Sequence, residues 1–203
     1  MIGQMGSFDY PSAELDEPLD CYLHSYVSSR IVNLARSNPA QGLPVCIAAT
    51  KLDGLALSLT PNTHSYNFRS AIIQGYAKVV TDVQEKLWAM ELITNSVVPN
   101  RWRNTRVPPD QAEMQSTAVL KVRVVDGSAK VRQGDKSADP KDIGDADLVS
   151  RVWTGVVPVW QHFGEPIPSH ENKKAVPEYL EAFITGSNQR NRTLSQEAVL
   201  GKE

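Results

Sequence analysis

Two short stretches hold the residues of this chain best suited to grip an anion or a polar heterocycle. YLHSYVSSRI runs from Tyr22 to Ile31, and NTHSYNFRSA runs from Asn62 to Ala71. Each contains His-Ser-Tyr with an arginine downstream, Arg30 after His24 and Arg69 after His64. A tripeptide that occurs twice in 203 residues carries no weight by itself. What matters is the element beneath each copy.

In the first copy, Leu19, Cys21 and Leu23 alternate with Asp20, Tyr22 and His24, the pattern of a half-buried strand over 19–25. His24 and Ser25 close that strand. Ser28 or Ser29 can cap the helix that follows, with Ile31, Leu34 and Ala35 on one face. Arg30 in the first turn opposes the positive end of the helix dipole unless an anion lies between them. A phosphate would answer free N–H groups, serine hydroxyls and a guanidinium together. The alternative is an Arg30 in water and a Ser29 that only caps, and local physics leaves both open. In the second copy, Arg69 and Ser70 open a long strand after a loop holding His64 and Ser65. Polar groups there can bond the edge of a heterocycle or simply satisfy the loop.

The elements that must carry these groups are ordinary in composition. With 41% apolar and 22% charged residues, the chain suits one domain with a sizeable core. A net charge of −2 offers no general attraction to nucleic acid or an anionic membrane. No apolar run is long enough to span a bilayer. The first twenty residues lack a basic stretch followed by an apolar one, so a cytoplasmic protein is expected. Cys21 and Cys46 are expected as small core residues, and four scattered histidines argue against a metal site.

Along the chain, 1–8 reads as a short strand and DYPSAELDEP as a polar turn region. Asp53-Gly54, between two apolar runs, predicts a hairpin, and so does Asp126-Gly127 within 118–134. RSAIIQGYAKVV predicts a long strand. Asp82 with Glu85 predicts a capping box for a helix burying Val83, Leu87, Met90, Ile93 and Val97. Trp88 and Trp102 are expected in the core or at its rim. Lys121, Arg123, Lys130 and Arg132 alternate with apolar residues and predict a solvated face. DKSADPKDIGDADL predicts a mobile loop, and a last strand lies in RVWTGVVPVW. A short helix around 177–184 and a disordered last fifteen residues complete the expectation. Hairpins with inserted helices predict an α+β fold with an antiparallel sheet curled into a barrel.

The blocks LHSYVSSRIVNLA, LPVCIAATKLDGLALSL, HSYNFRSAIIQGYAKVVTDVQEKLWAMELI, SAKVR and WTGVVP, in this order, resemble the pyridoxamine 5′-phosphate oxidase-like, FMN-binding split-barrel family. The branch they most resemble is that of flavin-nucleotide-binding proteins related to nitroimidazole-resistance reductases. The resemblance implies a split-barrel domain over 1–168, with 169–203 as a polar tail carrying a short helix. It also implies a homodimer with FMN at the interface. Carried over residue by residue, it assigns His24, Ser25, Ser28, Ser29 and Arg30 to the phosphate of FMN and Arg69 and Ser70 to the ring. It points to an FMN-dependent oxidoreductase that reduces a small molecule with NAD(P)H, with His64 as a candidate catalytic residue. The alternatives are a flavin-binding module without turnover, or a haem or deazaflavin binder. Genuine pyridoxamine phosphate oxidation is disfavoured. Ile31 stands where those oxidases carry a lysine, and HFGEPIPS replaces their arginine-rich ending. Family members also place a helix and a strand ahead of the segment resembling MIGQMGSF. Without them the expectation is an exposed strand edge and a partly unwalled flavin site.

Overall fold

In the computed structural model of the protein, residues 1–13, 17, 19–135 and 138–200 are described. Parts of the expected turn region and charged loop, and the last three residues, lie outside them. Six strands form one sheet in the order β1-β2-β5-β4-β3-β6. They are β1 (Gly3–Gly6), β2 (Asp20–Tyr26), β3 (Leu43–Leu57), β4 (Ser65–Val79), β5 (Thr117–Arg132) and β6 (Gly155–Pro158). The β1–β2, β2–β5 and β3–β6 pairings are antiparallel. Helices α1 (Arg30–Arg36), α2 (Val83–Val97), α3 (Gln111–Ser116), α4 (Pro140–Ile143), α5 (Ala146–Arg151) and α6 (Glu178–Leu200) complete an α+β fold. Two compact units divide the chain. The first holds Met1–Ile47 and Ile72–Gly127, and the second holds Ala48–Ala71 and everything from Ser128 onward.

In the first unit, β2 is covered on both faces, not on one as its alternation predicts. Cys21, Leu23, Val32, Ala35, Ala77, Leu120 and Val122 make one core, while Tyr22, Val80, Ala89, Ile93 and Val119 make another. Tyr22, in the second core, is fully buried beneath α2, with Trp88 edge-on at 5.1 Å. Its hydroxyl donates to Glu85 Oε1 at 2.7 Å, and Lys121 Nζ donates to the same oxygen at 3.0 Å. This contact explains two departures. Asp82 caps α2 by accepting from the Glu85 N–H at 2.8 Å, but the Glu85 carboxylate is drawn to Tyr22, so the reciprocal half of the capping box is not made. Packing Trp88 on Tyr22 also turns the helix, so that Ala89 and Ile93 are buried while Val83 and Val97 face solvent. On α1 the buried pair is Val32 and Ala35, and Leu34 is exposed.

Neither Asp-Gly pair turns the chain. In the second unit, Asp53 is buried within β3, where its carboxylate takes two bonds from Arg69. Its carbonyl accepts from Val159 N–H and from Ser195 Oγ. Gly54 lies opposite Pro158, and a Cβ there would meet Val156 Cγ1 at 2.9 Å. The pair serves close packing against β6, and the chain reverses instead through 58–64, around the short 3-10 turn Pro61–Thr63. Asp126-Gly127 likewise continues β5, which lies between β2 and β4 in the sheet, and the Asp126 side chain accepts from the Gly127 N–H. A reversal there would strip β4 of a neighbour.

The charged loop and the tail are also more ordered than composition predicts. Asp139 and Asp145 cap α4 and α5 through bonds to Lys141 and Leu148 N–H groups. Helix α6 runs 23 residues, well beyond the expected short helix, with Ser187, Ser195 and Ala198 buried. Ser195 Oγ and the Ala198 carbonyl, which accepts from Asn67 Nδ2, fix it to β3 and β4 residues of its own unit.

Cys21 is a core residue as expected, but Cys46 is exposed on β3. Burial, and secondarily the Asp20 charge, push the Cys21 thiol from 9.0 up to about 11. Iodoacetamide at pH 8 should therefore modify Cys46 and spare Cys21 in the folded protein, as read by peptide mass spectrometry. Between pH 9 and 11 the unfolded chain releases the Cys21 proton while the folded chain keeps it. Folding free energy from urea titrations should therefore fall as pH rises through that window. Equal labelling of both thiols would contradict the burial of Cys21.

Candidate functional site

The first cluster forms where β2 hands over to α1. Ser25 is buried on β2, and its Oγ lies 2.8 Å from Ser29 Oγ. Ser29 occupies the N-cap position with extended backbone, yet its side chain makes no capping bond. One hydroxyl of the pair donates to the other, which leaves one O–H free. The turn is fixed by other means: Arg36 Nη1 donates to the Val27 carbonyl at 2.8 Å, and Ser29 N–H to the Tyr26 carbonyl at 3.0 Å. Asn33 Nδ2 donates to the Ser28 carbonyl at 3.2 Å. Ser28 and Arg30 are exposed beside it, and among the described residues the Arg30 guanidinium has no ion-pair partner. The set therefore offers hydroxyl and guanidinium donors, and among the described residues no carboxylate is bonded to Ser25, Ser28, Ser29 or Arg30. That chemistry fits a phosphate group.

His24 does not join this set. As Ser25's immediate neighbour on a strand it points to the opposite face. There it lines a cavity of about 260 Å³ with Ile2, Met90, Ile93, Thr94, Val97 and Arg101.

The second cluster lies in the second unit and is already partnered. Arg69 Nε and Nη2 each donate to Asp53 at 2.8 Å, a two-pronged ion pair with a carboxylate that is nearly inaccessible. The Asp53 carboxylate holds the Arg69 guanidinium above its ordinary range. Ser70 Oγ donates to the Lys130 carbonyl at 3.3 Å, and His64 Nδ1 bonds the Thr60 carbonyl at 3.0 Å. Arg69 and Asp53 open onto a cavity of about 280 Å³ bounded also by Lys51, Trp160, Gln161 and Asn191. Lys51 Nζ and Asn191 Nδ2 both bond Gln161. Sequence reasoning missed Asp53, because Asp-Gly is a turn signal, and missed Asn191, because its helix lies in a polar segment. Among the described residues no group of three or more His, Cys, Asp or Glu side chains is placed to hold a metal ion. No helix among them is long and apolar enough to cross a membrane.

The sequence model of the family described as pyridoxamine 5′-phosphate oxidase matches residues 15–131, more than half of the chain. The chain belongs to this flavin-binding family. The match takes in the Ser25–Arg30 cluster, β3, β4, α2 and all but the last residue of β5. No curated protein matches the chain in sequence. Among solved structures it is similar to the FAD and heme binding protein from Mycobacterium smegmatis, with a TM-score of 0.69 and 22% identity over 81% of this chain and 77% of that one. It is also similar to the flavocytochrome Anf3 from Azotobacter vinelandii, with a TM-score of 0.68 and 24% identity over 90% and 84%. At these identities the likeness is one of fold.

The Asp53–Arg69 pair sets a stability expectation. Asp53→Asn removes the buried charge and leaves a guanidinium that still reaches solvent. The loss should therefore fall below the 3–5 kcal/mol typical of breaking a fully buried pair, at about 1–3 kcal/mol. Urea unfolding of the variant checks this, and an unchanged midpoint would show that the pair does not hold β3 to β4.

Proposed function

We propose that the protein binds FMN and works as a flavin-dependent oxidoreductase on a small molecule, drawing electrons from NAD(P)H. The observation that carries this reading is the Ser25–Ser29 hydroxyl pair beside Arg30, which has no ion-pair partner among the described residues, a set free of carboxylates within the segment matched by a flavin-binding family. Ser25, Ser28, Ser29 and Arg30 would hold the phosphate. A bound flavin supplies the electron transfer, and the chain's part is to capture, orient and shield it. Because the turn is fixed by Arg36 and the Tyr26 carbonyl, the Ser29 hydroxyl is not needed as a cap and can serve a ligand. Arg69 and Ser70 remain the proposed ring-side residues, with Arg69 Nη1 the guanidinium nitrogen not bonded to Asp53. Closure of the sheet as a split barrel and a homodimer with FMN at its interface belong to the same proposal.

The second reading is a module that holds flavin without turnover. It is favoured by the engagement of His64 with Thr60 and of Arg69 with Asp53, since both side chains nearest the expected ring motif are already bonded.

Arg30→Ala should weaken FMN by about 1.5–3 kcal/mol, the worth of a charge-assisted hydrogen bond, and leave riboflavin nearly unchanged. Fluorescence titration of both ligands checks this, and equal losses would remove Arg30 from the phosphate site. In the purified protein, NADPH should bleach the flavin absorbance and an electron acceptor should restore it. Absorbance that never bleaches selects the module. Sedimentation should give a dimer, with FMN raising the thermal midpoint by mass action. A monomer that binds FMN at full stoichiometry would contradict the interface site.

A further inference from the structure

A cleft of about 710 Å³ in the first unit is lined by Asp20, Gln41, Tyr76, Lys78, Lys121 and Arg123, with Ala40 at its rim. It lies apart from the serine cluster. On β2, Asp20 and Tyr22 share one face while Cys21, Leu23 and Ser25 share the other. Lys121 pairs with Tyr22 across the strands, which places the cleft on the Tyr22 face.

The sequence pattern predicts a solvated face for Lys121 and Arg123, and the structure gives them different situations. Lys121 lies between two carboxylates, at 3.3 Å from Asp20 and 3.0 Å from Glu85, so it adds no net positive charge. Arg123 has no ion-pair partner among the described residues. Lys78 Nζ donates only to the Ala40 carbonyl, at 2.6 Å, which leaves its charge unmatched and its other protons available. With Lys78 and Arg123 against the one surplus carboxylate charge at Lys121, the cleft and its margin carry one net positive charge, and its two carboxylate-free cations lie beside the Gln41 amide and the Tyr76 phenol. Two cations with no carboxylate bonded to them suit the oxygens of a phosphate monoester, which is close to a dianion at neutral pH.

The wall opposite the strands is built firmly. Gly42 has φ +88°, its N–H bonds the Asn38 carbonyl at 2.8 Å, and a Cβ there would lie 3.1–3.2 Å from Ala77 O, Lys78 Cγ and Tyr76 Cβ. The segment carrying Ala40 and Gln41 is thus pressed onto Tyr76 and Lys78 and tied to the Lys78 ammonium. The volume falls within the range of small-molecule sites, about 300–1,000 Å³. A bare phosphate would leave most of it unfilled, and the Tyr76 ring offers a surface for an attached organic group.

We propose that this cleft is a second binding site, for a small organic phosphate monoester of mononucleotide size, with Lys78 and Arg123 on the phosphate and Tyr76 against the organic group. The proposal does not rest on the flavin reading.

The test is calorimetric titration of the full chain with AMP, adenosine and inorganic phosphate at pH 8 and low salt, with and without saturating FMN. AMP should bind under both conditions, inorganic phosphate more weakly, and adenosine not measurably. The double variant Lys78→Gln/Arg123→Gln should weaken AMP about tenfold or more and leave FMN affinity unchanged. Because both residues are exposed, either single variant can replace the double one should its thermal midpoint drop. AMP binding should also weaken as salt is raised, as expected for a partly exposed charged site. An affinity for AMP unchanged by these substitutions would overturn the proposal. So would no AMP binding at millimolar concentration, or AMP binding lost through Arg30→Ala in their place. FMN binding is read separately, so failure of the flavin reading leaves the AMP result standing.

Discussion

A tyrosine hydroxyl with no access to solvent must find a partner inside the protein, and much of the first unit is arranged around that need. Tyr22 is fully buried, and its hydroxyl reaches Glu85 on α2. A carboxylate in so sheltered a place needs a cation, and Lys121 on the paired strand supplies it while also lying over the Tyr22 ring. Burial, and next the bond to Glu85, push the Tyr22 hydroxyl far above its ordinary titration range. One strand, its neighbour and the covering helix are thereby fixed by a single network. The register that this network sets also sends Ser25 to the other face, towards the serine cluster.

The second unit solves a parallel problem with an ion pair. Asp53 lies buried in β3, and Arg69 on β4 meets it with two parallel bonds. The backbone carbonyl of Asp53 then receives both Val159 and Ser195, so strand, neighbouring strand and α6 converge on one residue. Charge in the core is costly when it lacks a partner. These two acids, Glu85 and Asp53, therefore decide which elements must lie beside them.

Much of the fold was legible in the sequence because its strands and helices carry strong periodicity. Strands β1, β2, β4 and β6, helix α2 with its Asp82 cap, and the α+β class all follow from pattern. The family followed from the order of whole blocks. The misreadings have a shared cause, in that a local signal was overruled by a distant partner. Asp53-Gly54 and Asp126-Gly127 have the chemistry of a hairpin turn, but their neighbours in the sheet require continuous strands. Helix α6 looks like a polar tail because the groups it buries are Ser187, Ser195 and Ala198, none of which marks a core in a sequence. At the candidate site, the Ser25–Arg30 stretch was readable as a donor set. The capture of Arg69 by Asp53 was not, since it depends on pairing across two strands.

The bonds that complete the second unit join residues very far apart along the chain. Asp53 meets Ser195 across 142 positions, and Asn67 meets Ala198 across 131. Contacts of such separation are slow to form, because a long loop must close before any of them is made. During synthesis, the Met1–Ile47 and Ile72–Gly127 segments can collapse around Tyr22 once Gly127 has emerged, before Ser195 and Ala198 have been made. The later part of β3 and the start of β4 have no such option. The Asp53 carbonyl and the Asn67 side chain therefore complete their bonding only once residues 195–198 have been made.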